Sequence, residues 1–235
     1  MILPAVQALE AKMPGMKSMV AAAAVFVWSG GWQTAPTAAP QPIDLAAHLA
    51  AGKLHAVNRE VTKSQSRADA VHVSDKPNPG TVWIDGVDFG EGTIEVDVRG
   101  RNVPQRSFLG VAFHGKDDQT YESVYLRPFN FRAADAGARH HAAQYMMLPT
   151  YDWPRLRQES PEQFEGGVDQ SIVPTDWVPL RVVVRNGRIQ AFAGASGAPV
   201  LDVRKLGDLG SGRVGLWTGN NSDGDFANLR VTAAK

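Results

Sequence analysis

The feature that most constrains the fold is an alternation of apolar and polar residues with a period of two. In residues 93–99, for example, the apolar residues Ile94, Val96 and Val98 are separated by charged residues. Successive side chains of a β-strand point to opposite faces of a sheet, so this alternation is typical of a strand with one buried face. We therefore expect the core to be built from strands.

Segments with the length and composition of strands recur along the chain, at 71–73, 81–84, 108–114, 121–127, 141–147, 180–185, 188–193, 200–203, 212–219 and 226–232. Asn186-Gly187 lies between two of them and predicts a tight hairpin. Only residues 43–51 have a helical pattern, with Asp44 near its start. Many short strands joined by Gly- and Asp-rich turns predict an all-β fold, an antiparallel two-sheet jelly-roll sandwich.

The first forty residues have the pattern of a secretory signal followed by a Pro- and Ala-rich linker. Lys12 and Lys17 precede an apolar run at 19–28, and small residues and prolines follow. The run is shorter than the roughly 20 apolar residues that a membrane span needs. We expect an exported protein, periplasmic or extracellular, that is not inserted in the membrane after signal cleavage. Residues 41–235 are long enough for a single sandwich domain.

The composition argues against several classes of partner and site. The 24 basic residues balance 24 acidic ones, whereas a nucleic acid or an anionic membrane favours a basic face. The chain has no Cys, so a disulfide framework and a thiol nucleophile are excluded. Motifs of zinc peptidases, serine hydrolases and phosphate-binding loops are missing. We therefore expect no nucleic-acid partner.

All four tyrosines lie between Tyr121 and Tyr151, in a stretch that also contains His141 and is followed by Trp153. Aromatic rings with polar tips, imidazoles and a nearby arginine suit the binding of a polar, ring-shaped ligand such as a sugar. Alternatively the stretch is an ordinary half-buried sheet face, because tyrosine is also common in strands.

Alternation assigns side chains to one face of the strand that begins at Tyr121. Val124 and Leu126 are expected in the core, which sends Tyr121, Tyr125 and Arg127 to the opposite, ligand-binding side. A guanidinium beside two tyrosines offers paired donors on a surface where a sugar ring can stack. The alternative for Arg127 is a structural ion pair with a carboxylate.

Neighbouring strands add residues to the same surface. In the segment 108–114 the bulky residues are expected in the core, so His114 should join the ligand-binding side. In the segment 141–147 the two faces are harder to separate, and either Gln144 or Tyr145 should reach that surface. The pattern does not choose between them.

The stretch 148–177 is too long for an ordinary sandwich connection, where about two to five residues are usual. We expect a structured loop over the ligand surface, with Trp153 as a stacking platform and Glu159 or Glu165 as a candidate acid. In the alternative arrangement Trp153 packs against the sheet edge while the charges face water.

The candidates for catalysis are Arg127, His141 and Glu159. His141 follows His140, and neighbours in a strand point to opposite sides, so at most one of the two is expected to act as acid, base or ligand. The alternative for each histidine is a solvated or hydrogen-bonded ring without a catalytic role.

Residues 220–225 combine several oxygen donors, as calcium sites do. Asp223 and Asp225 are the weak candidates for a structural calcium ion. The same segment is typical of a hairpin turn with Asp223 and Gly224 at its tip, and we favour the turn. No other cofactor is expected.

Five segments carry a resemblance to a known superfamily: 92–98, 108–114, 121–128, 212–217 and 225–231. Together they resemble the concanavalin A-like lectin/glucanase superfamily. The order of elements is most similar to exported bacterial laminin-G-like domains and to the 3-keto-disaccharide hydrolase family, over roughly 71–235. The resemblance implies a curved sandwich whose concave face binds glycans and, in some members, hydrolyses them.

One departure from the superfamily concerns catalysis. Glu95 and Asp97 have the spacing by which its retaining glucanases present an acid and its helper, but those enzymes carry a further Glu where this chain has Gly100. A retaining glycosidase needs two carboxyl groups about 5 Å apart. We therefore expect Glu95 and Asp97 to be a solvated strand face.

Three functions remain open. The chain is expected to be an exported carbohydrate-recognising β-sandwich, either a glycoside hydrolase of the 3-keto-disaccharide type or a non-catalytic glycan-binding module. The third alternative is a laminin-G-like module that binds protein. Fold alone does not decide among them.

Overall fold

The computed structural model describes residues 42–234; the expected secretory segment, residues 1–40, lies outside the described residues. In chain order the strands are β1 (Leu54–Val57), β2 (Val61–Lys63), β3 (Val71–Val73), β4 (Gly80–Phe89), β5 (Gly92–Arg99), β6 (Leu109–Gly115), β7 (Tyr121–Leu126), β8 (Ala143–Leu148), β9 (Glu165–Gly166), β10 (Val178–Arg185), β11 (Arg188–Ala193), β12 (Leu201–Arg204), β13 (Gly212–Thr218) and β14 (Gly224–Ala233). The helices are α1 (Leu45–Ala50), α2 (Ala136–His140) and α3 (Trp153–Glu159), with a 3-10 turn at Pro128–Asn130.

The strands form two sheets of seven strands each. The first sheet has the order β1-β4-β13-β6-β7-β8-β9, and the second has the order β12-β11-β10-β5-β14-β3-β2. Neighbouring strands are antiparallel in both sheets. The predicted all-β sandwich of two antiparallel sheets is confirmed.

Local predictions from the sequence hold where the signal is strong. Asn186 and Gly187 have φ angles of 50° and 68° and connect β10 to β11 as a tight hairpin. Helix α1 begins after Asp44, whose carboxylate accepts a hydrogen bond of 2.9 Å from Ala47 N. The apolar face of β5 is buried, as the alternation predicts.

Elements without a strong sequence signal were missed. Strands β1 and β2 contain no fully buried residue, and β9 has only two residues. Helices α2 and α3 lie outside residues 43–51, the one segment expected to be helical. The strand expected to start at His141 begins two residues later, because Asp135 caps helix α2 and the helix ends at His140. The long stretch after β8 is structured, as expected, and contains α3 and β9.

The core lies between the two sheets. Leu109 of β6 points toward the second sheet, where its Cδ1 atom packs against Gly224 of β14. By alternation Val111 and Phe113 have the same orientation, and both are fully buried. The other side of the first sheet, which we call the outer face, is therefore free to carry a site. None of the helices in the described part of the chain is long and apolar enough to cross a membrane.

Candidate functional site

A cavity of about 590 Å³ opens on the outer face of the first sheet. Its lining includes Tyr125, Arg127, His141, Trp153, Arg157 and Trp217. These residues come from β7, from β13 and from the segments on both sides of β8. Chain segments far apart in sequence therefore build one cavity.

The floor of the cavity is a pair of aromatic rings. The ring centres of Tyr125 and Trp217 are 4.6 Å apart with an angle of 33° between their planes. Their strands are separated by β6, where Gly110 lies opposite both residues. A Cβ atom on Gly110 would come within 2.1 Å of Val124 O, so the close approach at this position requires glycine.

Arg127 organises the polar wall of the cavity. Its guanidinium donates hydrogen bonds to His141 O at 2.7 Å and to the Tyr125 hydroxyl at 2.9 Å. It also donates to the side-chain oxygen of Gln144 and lies 3.2 Å from Glu165 Oε1. Arg127 is only 4% exposed. Most of its hydrogen-bonding capacity thus serves to position its neighbours. The ion pair with a carboxylate, which the sequence analysis gave as the alternative role of Arg127, is present.

Glu165 of β9 is the carboxylate around which the cationic side chains gather. Arg157 Nη2 lies 2.6 Å from Glu165 Oε1, and His141 Nδ1 lies 2.9 Å from Glu165 Oε2. Burial by itself would raise the pKa of Glu165, but the hydrogen bond from Arg157 and the charges of Arg127 and Arg157 more than offset it. The pKa of Glu165 is therefore lowered, which keeps the carboxylate ionised. We call Arg127, His141, Arg157 and Glu165 the cavity cluster.

His141 is the residue of the histidine pair that reaches the cavity. Desolvation lowers the pKa of its imidazole, and the charges of Arg157 and Arg127 act in the same direction against that of Glu165. The ring is consequently neutral at neutral pH. His140 instead lies 3.3 Å from Glu162 O through its Nε2 atom.

Helix α3 supplies the mouth of the cavity. Asp152 caps the helix by accepting a hydrogen bond of 3.1 Å from Arg155 N. The cap places Trp153 in the first turn, where its side chain is 48% exposed. The Arg157 guanidinium lies one turn later, 5.3 Å from the centre of the Trp153 ring. An exposed indole and a partly exposed guanidinium thus adjoin each other at the entrance.

Two other predicted residues support the cavity from beneath. Gln144 is fully buried and accepts a hydrogen bond of 2.7 Å from the Tyr125 hydroxyl. Tyr121 lies on the same side as Tyr125, and its hydroxyl accepts a hydrogen bond of 3.1 Å from Trp217 Nε1. Both residues hold the aromatic floor in place rather than line the cavity.

His114 and Tyr145 lie on the opposite side of the sheet from the cavity. The Tyr145 hydroxyl donates to Glu122 Oε2 at 2.5 Å, and His114 Nδ1 lies 2.9 Å from Glu122 Oε1. Lys205 Nζ is 3.1 Å from the same carboxylate. We call His114, Glu122, Tyr145 and Lys205 the sealed cluster, since His114, Glu122 and Tyr145 are almost wholly buried.

His114 was expected on the ligand-binding side of the sheet and lies on the other side, and the cause is local. Its backbone has a φ angle of 53°, and the pairing of β6 with β13 is irregular nearby, between Arg213 and Gly215. A bulge of this kind interrupts the alternation from which its orientation was inferred. Alternation did not decide whether Gln144 or Tyr145 faces the cavity side of the sheet. In the structure it is Gln144, because Tyr145 points toward the second sheet.

Glu159 does not reach the cavity. It is exposed on α3 and forms an ion pair of 2.9 Å with Arg155, one turn earlier. Trp217 and Arg157 were not singled out in the sequence as site residues. For Trp217 a signal existed, because its neighbour Leu216 is a core residue and alternation sends the tryptophan outward.

Three acidic residues in or next to the second sheet are paired with basic side chains. Asp97 lies 2.8 Å from Arg67, away from the cavity on a different sheet. Asp223 lies 2.6 Å from Arg101, and Asp225 lies 3.0 Å from His72. Among residues 42–234 no group of three or more His, Asp or Glu side chains is arranged to hold a metal ion. Calcium binding at Asp223 and Asp225 stays a prediction.

No family model matches the chain, and no curated protein matches it. Solved structures do match. The carbohydrate-binding module CBM66 from Bacillus subtilis is 12% identical with a TM-score of 0.53, over 75% of this chain and 93% of that chain. A Bacillus subtilis protein of unknown function with a galectin-like fold is 12% identical with a TM-score of 0.53, over 80% and 92%.

The exoplasmic/lumenal domain of VIP36, in its metal-free form, is 11% identical with a TM-score of 0.51, over 78% of this chain and 86% of that chain. At this level of identity the likenesses show the fold alone. The chain has the fold of galectin-like and concanavalin A-like sandwiches, as the resemblance in its sequence implied.

Proposed function

We propose that this chain recognises carbohydrate in the cavity on the outer face of the first sheet. The observation that carries the proposal is the exposed Trp153 ring at the entrance of a cavity whose wall includes Arg127, His141 and Arg157. Sugars present both apolar ring faces, which stack on aromatic rings, and hydroxyl groups, which need fixed hydrogen-bonding partners. Trp153 provides the ring on which a sugar stacks, and Arg157 and His141 provide the hydrogen-bonding partners.

The size of the cavity and the fold support the same function. Its volume of about 590 Å³ is within the range of about 300–1,000 Å³ that is usual for small-ligand sites. A protein named as a carbohydrate-binding module shares the fold, which is an argument by analogy only. The signal-like segment at residues 1–40 leads us to place the function in the periplasm or outside the cell.

Hydrolysis, including that of 3-keto disaccharides, is the second candidate, and the carboxylates favour binding over it. Among the described residues that line the cavity, Asp152 is the only carboxylate, and it caps α3. Glu165 lies behind them with a lowered pKa and three basic partners. A glycosidase of the usual kind needs two carboxyl groups flanking the bond, one of them protonated. Glu165 is poorly suited to be that acid.

The proposal is tested by measuring binding and product formation of the purified protein with a panel of oligosaccharides that includes 3-keto sugars. Trp153→Ala should lower affinity by about tenfold, because the stacking of a sugar ring on the indole is lost. Its unfolding midpoint should stay unchanged, since the side chain is about half exposed. Val173→Ala is the control, because Val173 is also an exposed apolar residue but does not line the cavity.

Each outcome has a different meaning. Sugar binding without new products supports a binding module, and new products that disappear in Arg127→Ala would identify a hydrolase. Equal affinity of Trp153→Ala and the wild type would contradict the assignment of the site. If the wild type binds no sugar at all, the proposal fails and the laminin-G-like protein-binding function becomes the better hypothesis.

A further inference from the structure

Two guanidinium groups of the cavity cluster share a single carboxylate. Arg127 Nη1 and Arg157 Nη2 lie 3.2 Å and 2.6 Å from the same atom, Glu165 Oε1. One positive charge of the pair is thus left without a counter-ion inside the cluster. His141 does not add to this excess at neutral pH, because desolvation lowers its pKa.

A third guanidinium, that of Arg59, lies next to the cavity. It is 5% exposed and donates to Thr218 Oγ1 at 2.6 Å and to Gly219 O at 2.7 Å. Its other acceptors are the carbonyl oxygens of Asn58, Asn78 and Thr218. Within residues 42–234 no carboxylate forms an ion pair with it. Burial lowers its pKa to about 10, so it remains charged at neutral pH.

The acidic side chain that lines the cavity, Asp152, forms no ion pair with Arg59, Arg127 or Arg157. Asp152 is the carboxylate among the described lining residues, and it accepts the hydrogen bond from Arg155 N that caps α3. Asp75 acts on Arg59 through its charge, so three carboxylates, Asp75, Asp152 and Glu165, stand near the three guanidinium groups. The excess is local: in the cavity cluster Arg127 and Arg157 share Glu165, and the guanidinium without a counter-ion of its own favours an anion in the cavity.

Arg157 is the member of this set that a ligand can reach. Its side chain is 41% exposed, whereas Arg59 and Arg127 are almost wholly buried. Glu165 engages its Nη2 and Nε atoms, at 2.6 Å and 3.4 Å. Its Nη1 atom donates no hydrogen bond to any other residue between 42 and 234, so donors of the planar fork remain for a second anion.

We propose that the cavity selects an acidic glycan, with a sugar ring stacked on Trp153 and its carboxylate or sulfate group bound by Arg157. The inference rests on the proposed function and specifies its ligand class. The two side chains adjoin, with 5.3 Å between the Arg157 guanidinium and the centre of the Trp153 ring. A ring and its charged substituent therefore reach both at once. Charge-assisted bonds from arginine to an anion are among the stronger hydrogen bonds in proteins.

The test compares oligosaccharides of matched length: neutral, uronate-containing and sulfated. Wild-type protein should bind one of the acidic classes at least about tenfold more tightly than the neutral class. This preference should shrink when NaCl is raised from about 0.05 M to about 0.5 M. Comparison of the two acidic classes shows whether carboxylate or sulfate is the group that is recognised.

Three variants assign the preference to one side chain. Arg157→Gln should lower affinity for the preferred acidic class by at least about tenfold and for neutral glycans by much less, because only the acidic group forms a charge-assisted bond with the guanidinium, so the preference disappears. Arg157→Lys keeps the charge without the fork and should retain part of the preference. Arg155→Gln is the matched control, because Arg155 lies on the same helix, pairs with Glu159 and does not line the cavity. Should Arg157→Gln fail to fold, the preference for acidic over neutral glycans is compared between Arg157→Lys and Arg155→Gln, and only Arg157→Lys should show a reduced preference.

Failure of the inference and failure of the proposed function have different signatures. Equal binding of neutral and acidic glycans, or a preference that survives in Arg157→Gln, would overturn the inference while carbohydrate recognition stands. Absence of binding to all three sugar classes would overturn both. Binding of an acidic peptide without binding of any sugar would likewise overturn both and indicate a protein partner.

Discussion

Strand β7 has a polar cluster at each of its ends, and the two clusters differ in access to solvent. At its start Glu122 belongs to the sealed cluster, and just beyond its end Arg127 belongs to the cavity cluster. Both clusters combine a buried carboxylate with a histidine and at least one basic side chain. Their chemical composition is therefore almost the same.

The difference lies in which face of the sheet each cluster occupies. The carboxylate of Glu122 is fully buried, and its partners His114, Tyr145 and Lys205 all point inward onto it. In the cavity cluster, Arg157 is 41% exposed and keeps donors for a ligand. Residue types alone therefore do not identify a site. Whether a cluster stabilises the fold or binds a ligand depends on the face of the sheet where it lies and on the hydrogen-bond donors that its own residues leave unused.

The largest effect is expected when the sealed cluster loses its charge. Glu122→Gln should lower the free energy of unfolding by about 3 kcal/mol, because it leaves the nearly buried Lys205 ammonium without its counter-ion. Urea denaturation measures the loss. Glu159→Gln is the control, since an exposed ion pair contributes only about 0–1 kcal/mol. Sugar affinity should be unchanged in both variants where they are folded, and a loss in Glu122→Gln would place the sealed cluster in the site.

Two tyrosines allow the clusters to be compared by the same small change. The Tyr145 hydroxyl donates to Glu122, and the Tyr125 hydroxyl donates to Gln144; burial raises the pKa of both phenols, that of Tyr125 to about 12. Each Tyr→Phe change removes one donated and one accepted hydrogen bond and should cost about 1–3 kcal/mol of unfolding free energy, at about 0.5–1.5 kcal/mol for each bond.

Sugar binding should distinguish the two tyrosine variants. Tyr125→Phe removes an acceptor for Arg127 and should lower sugar affinity about fivefold. Tyr145→Phe should leave affinity unchanged, because its ring lies on the other side of the sheet. The dissociation constants of both variants are measured by titration with the same oligosaccharide. Equal losses of affinity would show that the two clusters do not differ in function.

The smallest effect is the pH dependence that His141 confers. Desolvation lowers its pKa in the folded state, below the ordinary value of 6.5. The unfolded chain therefore binds more protons as pH falls through 6.5, and folding stability falls with it until the folded-state pKa is passed. His141→Asn should make the dependence of unfolding free energy on pH shallower between about pH 8 and pH 5. A steeper dependence in the variant would show that the folded-state pKa of His141 is not lowered.

Glu165 acts at lower pH and in a separate window. Its pKa is lowered from 4.5, so its contribution to stability is present above that value and is lost as pH falls through the folded-state pKa. Because His141 Nδ1 lies 2.9 Å from Glu165 Oε2, the two groups are coupled. The difference between wild type and His141→Asn is therefore assigned to the imidazole only at pH values well above 4.5, where Glu165 stays ionised.

Much of the fold could be predicted from the sequence because strand alternation is a local property. The period of two assigned β5 and β7 their buried faces, and Asn186-Gly187 specified a hairpin from its own backbone preferences. The same rule placed Tyr125 and Arg127 on one side of β7, where the structure has them. Each of these inferences depends only on residues close together in the chain.

Tertiary structure alone decided what the site contains. Gln144 rather than Tyr145 faces Arg127, because β8 pairs with β7 in a register that its own sequence does not specify. The carboxylate that gathers the cavity cluster is Glu165, which β9 brings beside Gln144 after a long return of the chain. Such contacts depend on register and on chain closure between distant segments, and no local pattern encodes either. The sequence by itself determined most of the strands and, away from the bulge at His114, which faces of them are buried, and the packing of distant segments determined the site.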